Sequence, residues 1–249
     1  MKRDHRNDFP SLWRGSRGLR AALLLAVCTI GLQACDRTAD SAPSQAGAAA
    51  RVVQVDAGEP GAVVPMPEHT ELAVFAAGCF WCVEEAFDQV DGVVETTSGY
   101  TGGSIPDPSY REVSSGRTGH YEAVAVRYDP TRVDYETLLA TFWRNVDPTD
   151  DGGQFCDRGD SYRPAIFVST DEQGALAAAS HAALTSDAEA PQPIVVPILA
   201  AKPFYAAEDY HQDYYRKNPL RYRYYKGACG RVARLAEVWG DAPVVAATR

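Results

Sequence analysis

Gly78-Cys79-Phe80-Trp81-Cys82 is where the chemistry of this 249-residue chain concentrates. Two thiols three residues apart, behind a glycine and interleaved with aromatic rings, offer a nucleophile and a partner for disulfide exchange. A cysteine where a strand turns into a helix sits beside unpaired backbone N–H groups and the positive end of the helix dipole, which stabilise a thiolate. A free thiol with a pKa near ~8.5 is only slightly ionised at neutral pH, so such a junction would make Cys79 the reactive sulfur. A lone cysteine reads as a small buried hydrophobe; a glycine-led pair flanked by aromatics argues against that here. Two chemistries compete for the pair. One is thiol–disulfide exchange by Cys79 and Cys82 themselves. The other is half of a zinc site, which needs a second closely spaced pair of ligands. Cys156 and Cys229 stand alone and far apart, so no metal is expected.

A strand must deliver Cys79 and a helix must carry Cys82, and the flanking patterns supply both. Residues 72–77 form a short apolar run ended by Gly78, and Phe80, Val83, Glu84, Phe87 and Val90 recur at helical spacing. The acidic pair Glu84-Glu85 reads as a solvated face of that helix. Residues 122–128 alternate as a strand, and Asp134 looks like the N-cap of a helix bearing Leu138, Leu139 and Phe142. Residues 165–168 read as a strand, and Thr170 opens an Ala-rich helix to about Leu184. Residues 194–199 read as a further strand, at an edge because of Pro197, and 206–215 as a short helix. Two long polar stretches, 101–119 and 147–163, are irregular, and long ordered loops in a compact domain tend to line a site. The expected fold is α+β: one catalytic domain over 68–241, with a two-layer mixed sheet, flanking helices and long coil segments.

The N-terminal part reads as an address. Arg14, Arg17 and Arg20 precede an uncharged run, 21–32, too short to cross a ~30 Å hydrocarbon core. Basic start, apolar middle and small residues describe a secretory signal peptide over 1–35. Its end, Leu32-Gln33-Ala34-Cys35, resembles the bacterial lipoprotein box, which would lipidate Cys35; ordinary signal cleavage is the alternative. Residues 36–67, rich in Ala, Ser, Pro and Gly, read as a flexible tether, and 242–249 as a tail. The expectation is an exported bacterial protein, periplasmic or in the cell envelope, touching a membrane through the lipid only. A formal charge of -9, from 24 basic against 33 acidic residues, argues against nucleic acid as a partner.

Further segments stand in order behind the cysteine motif. They are Ser98-Gly99-Tyr100-Thr101-Gly102-Gly103, Pro108-Ser109-Tyr110-Arg111-Glu112-Val113, Thr118-Gly119-His120-Tyr121-Glu122, Asp147-Pro148-Thr149 and Asp160-Ser161-Tyr162-Arg163. After them come Phe204-Tyr205-Ala206-Ala207-Glu208-Asp209-Tyr210-His211-Gln212 and Asp213-Tyr214. With Gly-Cys-Phe-Trp and Glu84, this series over about residues 71–240 resembles the A-type peptide methionine sulfoxide reductases. The resemblance implies reduction of the S epimer of methionine sulfoxide, in proteins and free, by a thiol with no cofactor. It also implies recycling by a thioredoxin-like reductant.

Carried over residue by residue, the resemblance makes Cys79 the nucleophile, Glu122 a buried acid and Asp157 an active-site aspartate. Tyr110 and Tyr162 become the phenols that hydrogen-bond the sulfoxide oxygen. Phe80 and Trp81 become the walls around the substrate methyl group. These roles make chemical sense, since sulfoxide reduction needs a sulfur nucleophile and a proton donor for the departing oxygen. The chain departs from the family pattern at Cys82, where Gly is usual, and at Cys156, where Asn is usual. Cys229, in Lys226-Gly227-Ala228-Cys229-Gly230, looks like a resolving cysteine on a mobile glycine segment. It is favoured as first partner of Cys79, with Cys82 and Cys156 as the alternatives and as relay thiols. His120 and His211 read as structural. The rivals are a thiol–disulfide oxidoreductase using Cys79 and Cys82, and a non-enzymatic lipoprotein that binds Met-rich partners.

Overall fold

The structure, a computed structural model, describes residues 52–53 and 69–240. The leader with Cys35, the tail and all of the tether except Val52-Val53 lie outside the described residues. In chain order the strands are β1 (Val52–Val53), β2 (Glu71–Ala77), β3 (Val93–Thr101), β4 (Tyr121–Tyr128), β5 (Gly153–Gln154), β6 (Asp157–Arg158), β7 (Pro164–Val168), β8 (Ile198–Ala200) and β9 (Phe204–Ala206). The helices are α1 (Phe80–Asp88), α2 (Tyr110–Ser114), α3 (Tyr135–Arg144), α4 (Asp171–Ser186), α5 (Tyr214–Lys217), α6 (Pro219–Ala228) and α7 (Arg231–Trp239). None of these helices is long and apolar enough to cross a membrane.

Seven strands form one mixed sheet in the order β1-β9-β3-β4-β2-β7-β8, and β5 and β6 make a separate hairpin. All pairs in the large sheet are antiparallel except β7 with β8. The alternation of β2 explains its central place. Ala73, Phe75 and Ala77 face one core, while Val74 and Ala76 face the other. Phe75 stacks on Phe87 of α1 at 4.9 Å and on Phe142 of α3 at 5.4 Å, which fixes both helices to that face. Asp134 and Thr170 cap α3 and α4 as expected, accepting the N–H of Thr137 and of Gln173.

Several expectations need correction. The edge strand begins only at Ile198, after Pro197, and pairs with β7. Residues 206–215 are not one helix: β9 comes first, then a turn, then α5. Pairing decides this, because Gly99 and Tyr100 take Ala206 and Tyr205 as partners. A Cβ on Gly99 would lie 2.4 Å from the Tyr205 carbonyl oxygen, so only glycine allows β9 so close. The Thr-rich β3 carries little apolar alternation, yet it lies between β4 and β9. Glu84 is not on a solvated face. It is 1% exposed, and burial pushes its carboxyl up to about 7.

Candidate active site

Three elements converge on Cys79: the β2-to-α1 junction, the two long loops and the C-terminal helices. Gly78 makes the turn with φ +83°, packed so tightly that a Cβ would fall 2.6 Å from Cβ of Gln154. Cys79 is the N-cap of α1 and Cys82 sits one turn on, so both thiols share a helix face. Both are buried and free, and each acts on the other's ionisation.

The electrostatics differ from the sequence expectation. Burial, not the helix dipole, dominates at Cys79 and holds its thiol well above the ordinary value. Cys82 is pushed the other way, to about 6, chiefly by Cys79, with Arg231, Tyr222 and Lys226 lowering it further against its burial.

Glu122, on β4, is 3% exposed and accepts the Phe80 N–H at 3.1 Å. Burial raises its carboxyl to about 8 against that hydrogen bond, and the nearby Asp157 charge adds to the rise. Glu122, Tyr110 and Tyr162 lie close enough to act on one another's ionisation. Burial raises both phenols, so they stay protonated donors. The two loops supply these groups: Tyr110 opens α2, whose Ser109–Glu112 capping box starts it cleanly, and Tyr162 ends a short 3-10 turn, Asp160–Tyr162. Asp157, on β6, accepts the Tyr225 hydroxyl, and burial raises its carboxyl.

Trp81 and Phe80 part company. The Trp81 indole N–H donates to Nδ1 of His211 at 3.1 Å, and its ring stacks on Tyr214 at 3.7 Å. Trp81, Tyr214, Leu220, Arg221, Tyr224 and Tyr225 line a cavity of about 580 Å³. Phe80 is 1% exposed, packs on His211 and Tyr100, and is not among those lining residues. His211 and His120 hold loops. His120 Nδ1 accepts the Gly103 N–H at 3.2 Å, and its Nε2 lies 2.7 Å from the Ile105 carbonyl oxygen. A second cavity of about 760 Å³, between α3, α4 and α7, contains none of these groups.

Cys229 stands at the end of a helix and is paired with Cys156 rather than with Cys79. Gly227 and Ala228 belong to α6, Cys229 caps that helix, and its sulfur is bonded to Cys156. The Cys156 N–H donates to Cys229 Sγ at 3.2 Å, and Asp157 Oδ2 lies 3.8 Å from that sulfur. Cys156, Asp157 and Cys229 cluster tightly, but two of the three are joined, which leaves a cation only one carboxylate. Sequence reasoning missed α6 as a wall. Tyr225 donates to Asp157 and Tyr222 to Glu85, and the two phenols lower the thiols Cys79 and Cys82 respectively. Tyrosines at i and i+3 beside Cys229 were the available signal.

The model of the family described as peptide methionine sulfoxide reductase matches residues 71–242. A peptide methionine sulfoxide reductase of Caulobacter vibrioides is 53% identical over 171 residues, 69% of this chain and 86% of that protein. One of Bacillus subtilis is 50% identical over 175 residues, 70% of this chain and 99% of that protein. The solved methionine sulfoxide reductase A of Corynebacterium diphtheriae superposes with a TM-score of 0.55 at 33% identity, covering 68% of this chain and 92% of that one.

Proposed function

The chain belongs to the peptide methionine sulfoxide reductase family, and from that premise we propose how its own residues carry out thiol-dependent reduction of methionine (S)-sulfoxide, in proteins and free. Cys79 attacks the sulfoxide sulfur from the dithiol pair. Tyr110 and Tyr162 donate to the sulfoxide oxygen, and Glu122, kept neutral by burial, gives the proton the oxygen needs to leave. The oxygen leaves the substrate sulfur as water, carrying the thiol proton and the Glu122 proton. Water then attacks the Cys79 sulfur, the sulfur–sulfur bond breaks with its electron pair on methionine, the released proton returns to Glu122, and Cys79 is left as a sulfenic acid. Trp81 offers the methionine side chain an aromatic face, which suits its soft thioether end.

The observation that carries this reading is the buried Cys79–Cys82 pair, one helical turn apart, with Glu122 accepting the N–H of the residue after Cys79 and kept neutral by burial. It also favours Cys82 over Cys229 as first resolving thiol, since Cys82 is free on the same helix face while Cys229 is bonded to Cys156. Cys82 thiolate attacks the sulfenic sulfur, the Cys79 S–O bond breaks, and the oxygen leaves as water, giving a Cys79–Cys82 disulfide. Reduced Cys156 and Cys229 then exchange with that disulfide. This regenerates the inner dithiol and leaves the Cys156–Cys229 disulfide, whose exposed Cys156 an external thioredoxin-like dithiol can reach. The leader and Cys35 support export and lipid anchoring in the cell envelope, with 36–67 as spacer. The deciding assay compares methionine formation from the sulfoxide with dithiothreitol against reduction of insulin disulfides. Insulin reduction without methionine formation would favour the thiol–disulfide exchanger.

A further inference from the structure

The cavity of about 760 Å³ between α3, α4 and α7 lies apart from the thiols and is mostly apolar. Leu139 and Trp143 of α3, Leu176 and Leu184 of α4, and Val238 and Trp239 of α7 line it. The Trp143 indole N–H donates to Ser180 Oγ at 3.2 Å and ties α3 to α4. α4 carries apolar residues on every side, yet only Gln173 and Ala177 of it are buried. Ala179 and Ala183 stand exposed on the cavity wall. A helix that is apolar all round is normally covered. Among the described residues, nothing covers this side of α4.

The segment that begins at the cavity's own edge has the right length and pattern to cover it. Gly240 is the last described residue and part of the cavity wall, and its φ of +70° turns the chain where α7 ends. Asp241-Ala242-Pro243-Val244-Val245-Ala246-Ala247-Thr248-Arg249 follows, an apolar middle between an acid and a base. Pro243 biases Ala242 towards extended backbone. Nine extended residues reach ~30 Å, against ~15 Å for the ten-residue α3. The charges match as well. Arg144, at the α7 end of the cavity, donates to the Trp239 carbonyl oxygen at 3.3 Å and lies 5.1 Å over its ring, within reach of an acid just past Gly240. Glu136, Asp187 and Glu189 also line the cavity and suit a base further along. None of these four charges has an ion-pair partner among the described residues. We propose that residues 241–249 fold back along this cavity, Val244 to Ala247 covering Trp143 and Ala183, and latch α7 onto α3 and α4. α7 itself buries only Arg231 and Leu235, so such a latch would add much of its hold on the domain.

The test locates the segment in the full chain. Photolysis of a variant with Val245 replaced by p-benzoylphenylalanine should join position 245 to peptides of α3 or α4 within one molecule, read by mass mapping. Ala183→Glu should cut that yield about ten-fold, since an unpaired charge is costly to bury against apolar side chains. Crosslinks to any other part of the chain, or none at all, overturn the proposal. So do crosslinks between two molecules, which would assign the cavity to a second copy. Thermal unfolding gives a readout that needs no bulky label. Ending the chain after Gly240 should lower the midpoint by a few degrees, and Ala183→Glu should lower it more in the full chain than in the shortened one. Equal shifts from Ala183→Glu in both lengths, or an unchanged midpoint on shortening, overturn the latch.

Discussion

Replacing Glu122 by glutamine keeps the side chain's shape and its acceptance of the Phe80 N–H while removing the transferable proton. With its carboxyl raised to about 8, about nine in ten Glu122 side chains hold their proton at about pH 7. Methionine formation in a single turnover should therefore slow by ~10²–10⁴ in Glu122→Gln, the span attributed to a positioned proton donor. The wild-type rate should fall as pH rises through about 8 and Glu122 loses its proton. The variant should lose the falling limb. Stability gives a second, independent readout with a definite sign. The folded protein holds a proton that the unfolded chain releases above 4.5, so stability drains away as pH rises from 4.5 to about 8. At about pH 7 that amounts to ~3 kcal/mol as an upper figure, at ~1.4 kcal/mol per pH unit. Glutamine carries no such penalty, so urea unfolding should show the variant gaining on the wild type between about pH 4 and about pH 7. Rapid quench and methionine counting check the kinetics. A variant that reduces sulfoxide at the wild-type rate at neutral pH would remove Glu122 from the mechanism.

Cys79→Ser should abolish turnover while circular dichroism stays unchanged, because serine fills nearly the same space but is a poor nucleophile towards sulfur; substantial residual activity would move the nucleophile to Cys82. Cys229→Ser should still release about one methionine per enzyme, and peptide mapping should then find the Cys79–Cys82 disulfide. Cycling with a thioredoxin-like donor should collapse in that variant, and undiminished cycling would exclude the outer pair from the relay.

What the chain determines on its own is local. The alternation of 72–77, the helical spacing of Phe80, Val83 and Phe87, and the caps Asp134 and Thr170 act over a few residues, so they are legible before any tertiary contact forms. The Gly78-Cys79 junction belongs with them, because a glycine in the left-handed region and a helix start are properties of neighbouring residues. The two long loops could be picked out as site-bearing, although their elements, α2 and the β5–β6 hairpin, could not.

The rest waits on residues distant in sequence. Polar β3 is a strand because β4 and β9 pair with it on either side, and 206 joins a strand rather than a helix for the same reason. Glu84 looks solvated on its own helix and is buried only because other elements close over it. α6 and α7 bring Tyr222, Lys226 and Arg231 to bear on Cys82 from about 140 positions away. A pKa and a cysteine's partner are set by everything within a few ångströms, and local pattern carries no record of who those neighbours are. That is why the chain alone could nominate four sulfurs, while only the folded structure sorts them into an inner dithiol and an outer disulfide.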